Sequence, residues 1–318
     1  ELVPLIHAVQ DLPLDDSFLT GEFPLEKQRA LSDRLMALMG INRNHCSIGE
    51  TEHPFTTEFS KYDVRITTHY HLHQLASSMY SVIHEGGHAL YALQIADELQ
   101  FTCLADGASL GVHESQSRFY ENIIGRSLPF VQALYPTLTE LFPLLSAISP
   151  ERLYRAVNKA TPSLIRTEAD ELTYPMHIII RYELEQRLIR GDLTVDDLPA
   201  AWNALYKQYL GVEVPDDTRG VLQDSHWSGG MIGYFPTYAL GSAYSAQLLS
   251  AMEKEVPVWE TVAKGDLAPV TAWLGEHVHR FGKRKEPRQV IAEACGAPFD
   301  ATCYIRYLKD KYAKLYQL

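Results

Sequence analysis

Cysteine is scarce in this chain. Its 318 residues hold four, at positions 46, 103, 295 and 303, and none stands in a Cys-x-x-Cys pair. Thiols so few and scattered make neither a disulfide framework nor a thiolate metal site, and free, buried cysteines in a reducing cytoplasm are expected. Positive charge is also short. Lys and Arg total 28 against 40 Asp and Glu, a formal charge of −12, which argues against nucleic acid as partner and against docking on an anionic membrane surface. No run approaches eighteen consecutive apolar residues, so no membrane-spanning helix is expected. The first twenty residues carry Asp11, Asp15 and Asp16 in place of an export leader. Repeats, low-complexity tracts and obvious linkers are missing as well. With 46% hydrophobic residues the chain can bury a substantial core, and it reads as a single domain over residues 1–318.

Strand signals are few. Phe59 to Thr68 alternates and carries Val64, Ile66, Thr67 and Thr68, which predicts a strand; Gln100 to Leu104 is a weaker candidate. Helical periodicity covers most of the rest. Beyond residue 150 it predicts helices at roughly 151–159, 163–190, 195–210, 238–254, 268–281, 288–294 and 301–316. Thr194 with Asp197 and the lone Asp300 stand where N-caps belong. Gly191, Gly211 and Gly282 stand where helices should end. The fold class is therefore mainly α with a small β-sheet.

Proline is absent from His71 to Ile95, and Leu72, Leu75, Met79, Val82, Ile83, Leu90, Leu93 and Ile95 recur there at helical intervals. That helix carries His84-Glu85-Gly86-Gly87-His88. Residues four apart share a helix face, so His84 and His88 can aim two imidazoles at one metal ion. Glu85 beside them could accept a proton from a water attacking a polarised carbonyl. Two glycines cost about 1 kcal/mol each relative to alanine in a helix, which close approach of a substrate, strand or second helix would explain. The competing reading is a chance match on a packed core helix.

A catalytic zinc needs a third protein ligand and an open position. His113-Glu114-Ser115-Gln116-Ser117 supplies candidates at the start of a second amphipathic stretch, Val112 to Ile124, after a polar break at Ala105-Asp106-Gly107. Spacing alone leaves Glu114 and His113 both open as the ligand.

The motifs resemble, in order, six blocks of the M32 carboxypeptidases, the family of carboxypeptidase Taq. They are His53-Pro54-Phe55, Asp63-Val64-Arg65-Ile66-Thr67, the HExxH string, His113 to Ser117, Ile165-Arg166-Thr167-Glu168-Ala169-Asp170 and Gly220-Val221-Leu222-Gln223-Asp224-Ser225-His226-Trp227. The resemblance implies a helical, gluzincin-type metallopeptidase with its small sheet beside the HExxH helix. It implies His84, His88 and Glu114 as metal ligands and release of single residues from peptides with a free C-terminus. Zinc is the expected ion, with Co²⁺ or Mn²⁺ as alternatives. A homodimer is compatible with the resemblance. Members usually carry a longer helical segment before the first block than the 52 residues present here, so the chain is expected to be N-terminally short relative to the family.

A carboxypeptidase must hold a terminal carboxylate, and the planar fork of arginine suits that task. Arg166, placed by periodicity in a helix, is the expected anchor. Its competing role is an ion pair with Asp170 four residues on. Arg65, with Asp63 two residues away on one strand face, is expected to be structural. His226 and Tyr238 are expected as hydrogen-bond donors to the developing oxyanion, with Tyr234 near the carboxylate pocket, by analogy with other helical metallopeptidases. His69, His71 and His73 are expected to be support or surface, and Lys283-Arg284-Lys285 a solvated helix end. The rival functions are a dipeptidyl carboxypeptidase or oligopeptidase, and an inactive module that binds metal and peptide.

Overall fold

The computed structural model describes residues 1–318 and is mainly helical, with one three-stranded sheet. The elements in chain order are α1 (Leu2–Val9), α2 (Leu25–Leu38), β1 (Cys46–Glu50), β2 (Thr56–Ser60), β3 (Asp63–Thr68), α3 (Leu75–Leu93) and α4 (Leu110–Arg118). They continue with α5 (Leu128–Leu141), α6 (Pro150–Val157), α7 (Tyr174–Arg190), α8 (Leu198–Leu210) and α9 (Pro236–Met252). The last are α10 (Val258–Ala263), α11 (Ala268–His277), α12 (Pro287–Cys295) and α13 (Thr302–Tyr316). The chain divides into two compact units. One gathers residues 1–14, 158–240 and 305–318, the other residues 15–157 and 241–304.

In the larger unit, α3 packs against α2, α4, β2 and β3. The sheet order is β1-β3-β2, with β1 parallel and β2 antiparallel to β3, so β2 is an edge strand. Val64 and Ile66 on one face of β3 are completely buried, as the alternation requires. The expected strand from Phe59 is in fact a hairpin. The chain turns at Lys61-Tyr62, between Ser60 and Asp63, and no glycine or proline marks that turn. β1 escaped sequence reading because Cys46-Ser47-Ile48-Gly49-Glu50 has little strand propensity; pairing with β3 defines it. Gln100 to Leu104 is not a strand. Thr102 turns the segment, its hydroxyl donating to Leu99 O and accepting from Leu104 N.

Gly87 explains itself here. A Cβ on it would sit 2.6 Å from the Gln116 carbonyl oxygen and 2.7 Å from Ser117 Cα, backbone atoms of α4. Glycine thus lets α3 and α4 approach backbone to backbone. Gly86 differs, since its Cβ would meet the flexible end of Met39. Gly87→Ala is expected to lower stability by about 1–3 kcal/mol through overpacking. Gly86→Ala should lie within about 1 kcal/mol of the parent, because helix propensity offsets the crowding. Urea unfolding of both variants checks the contrast, and equal losses would show that backbone approach is not the reason for Gly87.

In the smaller unit, α8 packs against α7 and α1, and Trp202 stacks on Tyr206 in its core. The helix expected over 163–190 starts only at Tyr174. Pro175 takes the first turn, where its missing N–H costs nothing, and Asp170 carboxylate oxygens accept from the amides of Leu172 and Thr173. Arg166 therefore lies in a short 3₁₀ turn, residues 166–168, and not in a helix. Gly191 and Gly211 close α7 and α8 in the left-handed conformation, φ +78° and +73°. Thr194 accepts from Asp197 N, and Asp300 accepts from Thr302 N, as expected. Gly282 lies inside a kinked 3₁₀ segment, 279–284, and ends no regular helix.

Candidate metal centre and basic cluster

Spacing on α3 brings His84 and His88 to one side, and both turn Nε2 toward the same oxygen. Glu114 Oε2 lies 3.9 Å from His84 Nε2 and 3.7 Å from His88 Nε2. The three side chains form a set able to hold a metal ion, with ligating atoms within 4.8 Å of one another. A tetrahedral ion with bonds of ~2.1 Å places its ligand atoms ~3.4 Å apart, so the set fits one with little adjustment. At 3.7–3.9 Å these groups do not hydrogen-bond to each other. Their outward atoms are all held. Glu114 Oε1 accepts from Arg118 Nε at 2.8 Å, His84 Nδ1 meets Glu121 Oε2 at 2.8 Å, and His88 Nδ1 meets His113 Nδ1 at 2.6 Å. His113, the alternative ligand, thus stands behind His88.

Glu85 is 7% exposed and accepts from the Thr56 hydroxyl on β2 at 2.6 Å. Burial pushes its carboxyl above the ordinary range, with Glu114 and Glu121 adding to the rise against the influence of His84 and Thr56. Glu121 goes the other way. Burial opposes its charge, yet Arg118, His84 and Arg126 hold it well below the carboxylate range. His88 is pushed down, first by burial and then by its neighbours His113 and His84, which keeps the imidazole neutral as a ligand must be.

Glu121, Arg118, Thr56 and Glu58 were missed by sequence reasoning. A signal existed for two of them. Arg118 is four residues after Glu114 and Glu121 seven, a helical spacing that puts all three on one side. At Phe119–Gly125 the segment widens into a π-helix, a distortion common at functional sites.

Arg166, His226, Tyr234 and Tyr238 come together in the smaller unit. Arg166 is not paired with Asp170: its Nε and Nη2 both donate to Asp224 Oδ1, at 2.9 and 2.7 Å, and Nη1 donates to the Tyr174 hydroxyl at 3.2 Å. Arg181 Nε donates to the other oxygen of Asp224 at 2.6 Å. Two guanidiniums share one carboxylate, and the buried carboxylate of Glu185 accepts from Trp227 Nε1 and the Gly233 amide beside them. His226 Nε2 meets the Tyr238 hydroxyl at 3.0 Å, while its buried Nδ1 has no hydrogen-bond partner. Burial, and then Arg166, depresses its pKa against the pull of Asp224. Tyr234 packs on both, with ring centroids 5.3 Å from His226 and 5.4 Å from Tyr238.

His177 completes that cluster and sets a pH limit. Its Nδ1 meets Tyr206 Oη at 3.0 Å and its buried Nε2 has no partner. Burial, then Arg181 and Arg166, push it down to about 3. The unfolded chain takes up this proton near pH 6.5 and the folded chain does not, so stability is full above that pH and falls as pH drops toward 3, by about 1.4 kcal/mol per unit. His177→Gln should flatten the acid limb of the stability profile. An unchanged slope between pH 6 and 4 would contradict this.

Elsewhere Arg65 forms a bidentate, exposed pair with Asp63, as expected. Lys283, Arg284 and Lys285 each pair with a carboxylate, of Asp106, Glu98 and Glu293, and do not simply cap a helix. His69 and His73 hydrogen-bond to the carbonyls of Thr51 and Gly21 and join no metal-type cluster. All four cysteines are free, but only Cys46 is buried as expected; Cys295 and Cys303 are half-buried and Cys103 is exposed. No helix is long and apolar enough to cross a membrane.

Residues 1–312 match the family model described as carboxypeptidase Taq (M32) metallopeptidase. The chain belongs to the M32 family. "Carboxypeptidase 1" of Bacillus subtilis is 45% identical over 322 residues, covering 100% of this chain and 64% of that protein. "Thermostable carboxypeptidase 1" of Pyrococcus furiosus is 46% identical, covering 98% of this chain and 64% of its own length. The crystal structure of an M32 carboxypeptidase from Deinococcus radiodurans superposes with a TM-score of 0.97 at 42% identity, covering 100% of this chain and 65% of that one. The chain thus spans 59–64% of the length of the curated relatives it matches.

Proposed function

We propose that this chain carries the hydrolytic centre of an M32 metallocarboxypeptidase that removes single residues from peptides with a free C-terminus. The observation that carries the reading is the His84, His88 and Glu114 set with buried Glu85 beside it on α3. The donor set, two imidazoles and a carboxylate, suits zinc, with Co²⁺ or Mn²⁺ as alternatives. A divalent cation held by His84, His88 and Glu114 would polarise the scissile carbonyl and favour ionisation of the attacking water. Glu85 takes the proton from that water and passes it to the leaving amine, a role that its raised pKa serves. Thr56 fixes the carboxylate rotamer through Oε2. Arg166 receives the terminal carboxylate, its guanidinium held in place by Asp224. His226 and Tyr238, in contact through His226 Nε2 and the Tyr238 hydroxyl at 3.0 Å, serve as donors to the oxyanion, with Tyr234 shaping the carboxylate pocket. Free cysteines agree with a cytoplasmic setting.

A matched pair of peptides tests the direction of cleavage. With added Zn²⁺ or Co²⁺, the free-acid peptide should lose residues singly from its C-terminus, and the amidated one should be resistant. Equal cleavage of both, or release of dipeptides, would replace this reading with an oligopeptidase or dipeptidyl carboxypeptidase.

A further inference from the structure

The two candidate histidine ligands are held from behind in different ways, and the arrangement behind His88 has no need to exist for packing alone. His84 Nδ1 rests directly on the Glu121 carboxylate. His88 Nδ1 rests instead on a second imidazole: His113 Nδ1 lies 2.6 Å away, and His113 Nε2 lies 2.5 Å from Glu58 Oε1 on β2. Two facing ring nitrogens can share only one proton, and a carboxylate can only accept. Ligation of an ion through His88 Nε2 puts the His88 proton on Nδ1, so His113 must accept at Nδ1 and direct its own proton from Nε2 to Glu58. His88 is then the Nδ1–H tautomer, with its lone pair on Nε2, the atom 3.7 Å from Glu114 Oε2. The opposite tautomer would put a proton where the ion must bind.

We propose that His113 and Glu58 are positioning residues that fix the tautomer and orientation of His88, in a hydrogen-bonded relay from β2 through α4 to α3. The proposal rests on the reading of His84, His88 and Glu114 as a metal site. Glu58 and His113 do meet Asp106 as a second group of potential ligands. Their atoms are already engaged, however: both His113 nitrogens lie in the relay, and Asp106 holds the Gly107 amide and Lys283. A relay describes them better than a second cation site. β2 also carries Thr56, which holds Glu85. Alternate residues of one edge strand therefore orient both the candidate base and, through His113, a candidate ligand.

Outer partners of metal-bound histidines typically contribute 10–100-fold in affinity. The test is Zn²⁺ affinity of the whole chain, measured against a chelating dye, for the parent, Glu58→Ala, His113→Leu, their double variant and His113→Gln. His113→Leu should weaken Zn²⁺ binding about 10–100-fold, and the double variant should be no worse, because the two residues act in series. Glutamine, which can accept from His88 and donate to Glu58, should recover most of the loss. Nitrogen-15 NMR of the metal-free proteins should show His88 as the Nδ1–H tautomer in the parent and a mixture in His113→Leu. Additive losses in the double variant, or a His113→Leu affinity within twofold of a parent that binds Zn²⁺, would overturn the relay and leave the metal site standing. A parent that takes up no Zn²⁺ would overturn the metal reading and the relay together. Should His113→Leu fail to fold, Glu58→Ala carries the test alone, through the same loss of affinity and tautomer.

Discussion

Replacing Glu85 with glutamine is expected to lower peptide turnover by about 10²–10⁴-fold, the usual contribution of a general base, while Zn²⁺ affinity and melting temperature stay near those of the parent. The substitution is nearly isosteric, and the amide oxygen can still accept from Thr56, whose hydroxyl lies 2.6 Å from Oε2. What it removes is the ability to hold a proton in transit. Burial raises the carboxyl above its ordinary range, closer to the operating pH where proton transfer in both directions is efficient. Side-by-side steady-state kinetics and metal titration decide the matter. Full activity in Glu85→Gln would remove it from the mechanism, and loss of metal together with activity would make its role structural.

The second large effect concerns stability. Asp224→Asn is expected to destabilise the chain by about 3–5 kcal/mol, the cost of leaving buried charge uncompensated. That corresponds to a fall in melting temperature on the order of 10 °C. Arg181 is fully buried and the Arg166 side chain nearly so, and both rely on this one carboxylate. Burial alone would raise the Asp224 pKa, but Arg181 and Arg166 hold it below the carboxylate range. Its contribution is therefore complete above the unfolded value of about 3.9 and is lost as pH falls through the lower folded value. A melting temperature within 2 °C of the parent would show that the guanidiniums find other partners. If Arg166 also receives a substrate carboxylate, Asp224 has a second duty, since it holds the guanidinium in place before substrate arrives.

Reading the sequence went furthest where chemistry is local. The interval of four between His84 and His88 needs only a helix to become a two-ligand face, and the proline-free apolar periodicity around it shows that helix plainly. Glu114 was nameable beside His113, but spacing left both open; in the fold Glu114 Oε2 faces both Nε2 atoms while His113 stands behind His88. Arg166 was visible as a candidate, yet it lies in a short 3₁₀ turn and not in the helix expected for it. Asp224 lies 58 residues downstream, beyond the reach of any local rule, and the turn before α7, in which Asp170 Oδ1 accepts from Leu172 N and Thr173 N, competes with helical periodicity in a way sequence pattern alone does not resolve.

The sequence by itself determined the mainly helical class, the HExxH face and the candidate base, because these depend on spacings within a few turns of one element. Only the tertiary structure decided what stands behind each candidate ligand. Glu58 reaches His113 from 55 residues away, Glu121 reaches His84 from 37, and Gly87 matters only because α4 lies against it. Hydrogen bonds and van der Waals contacts act over a few ångströms whatever the distance along the chain, so such partners become legible only once the chain has folded.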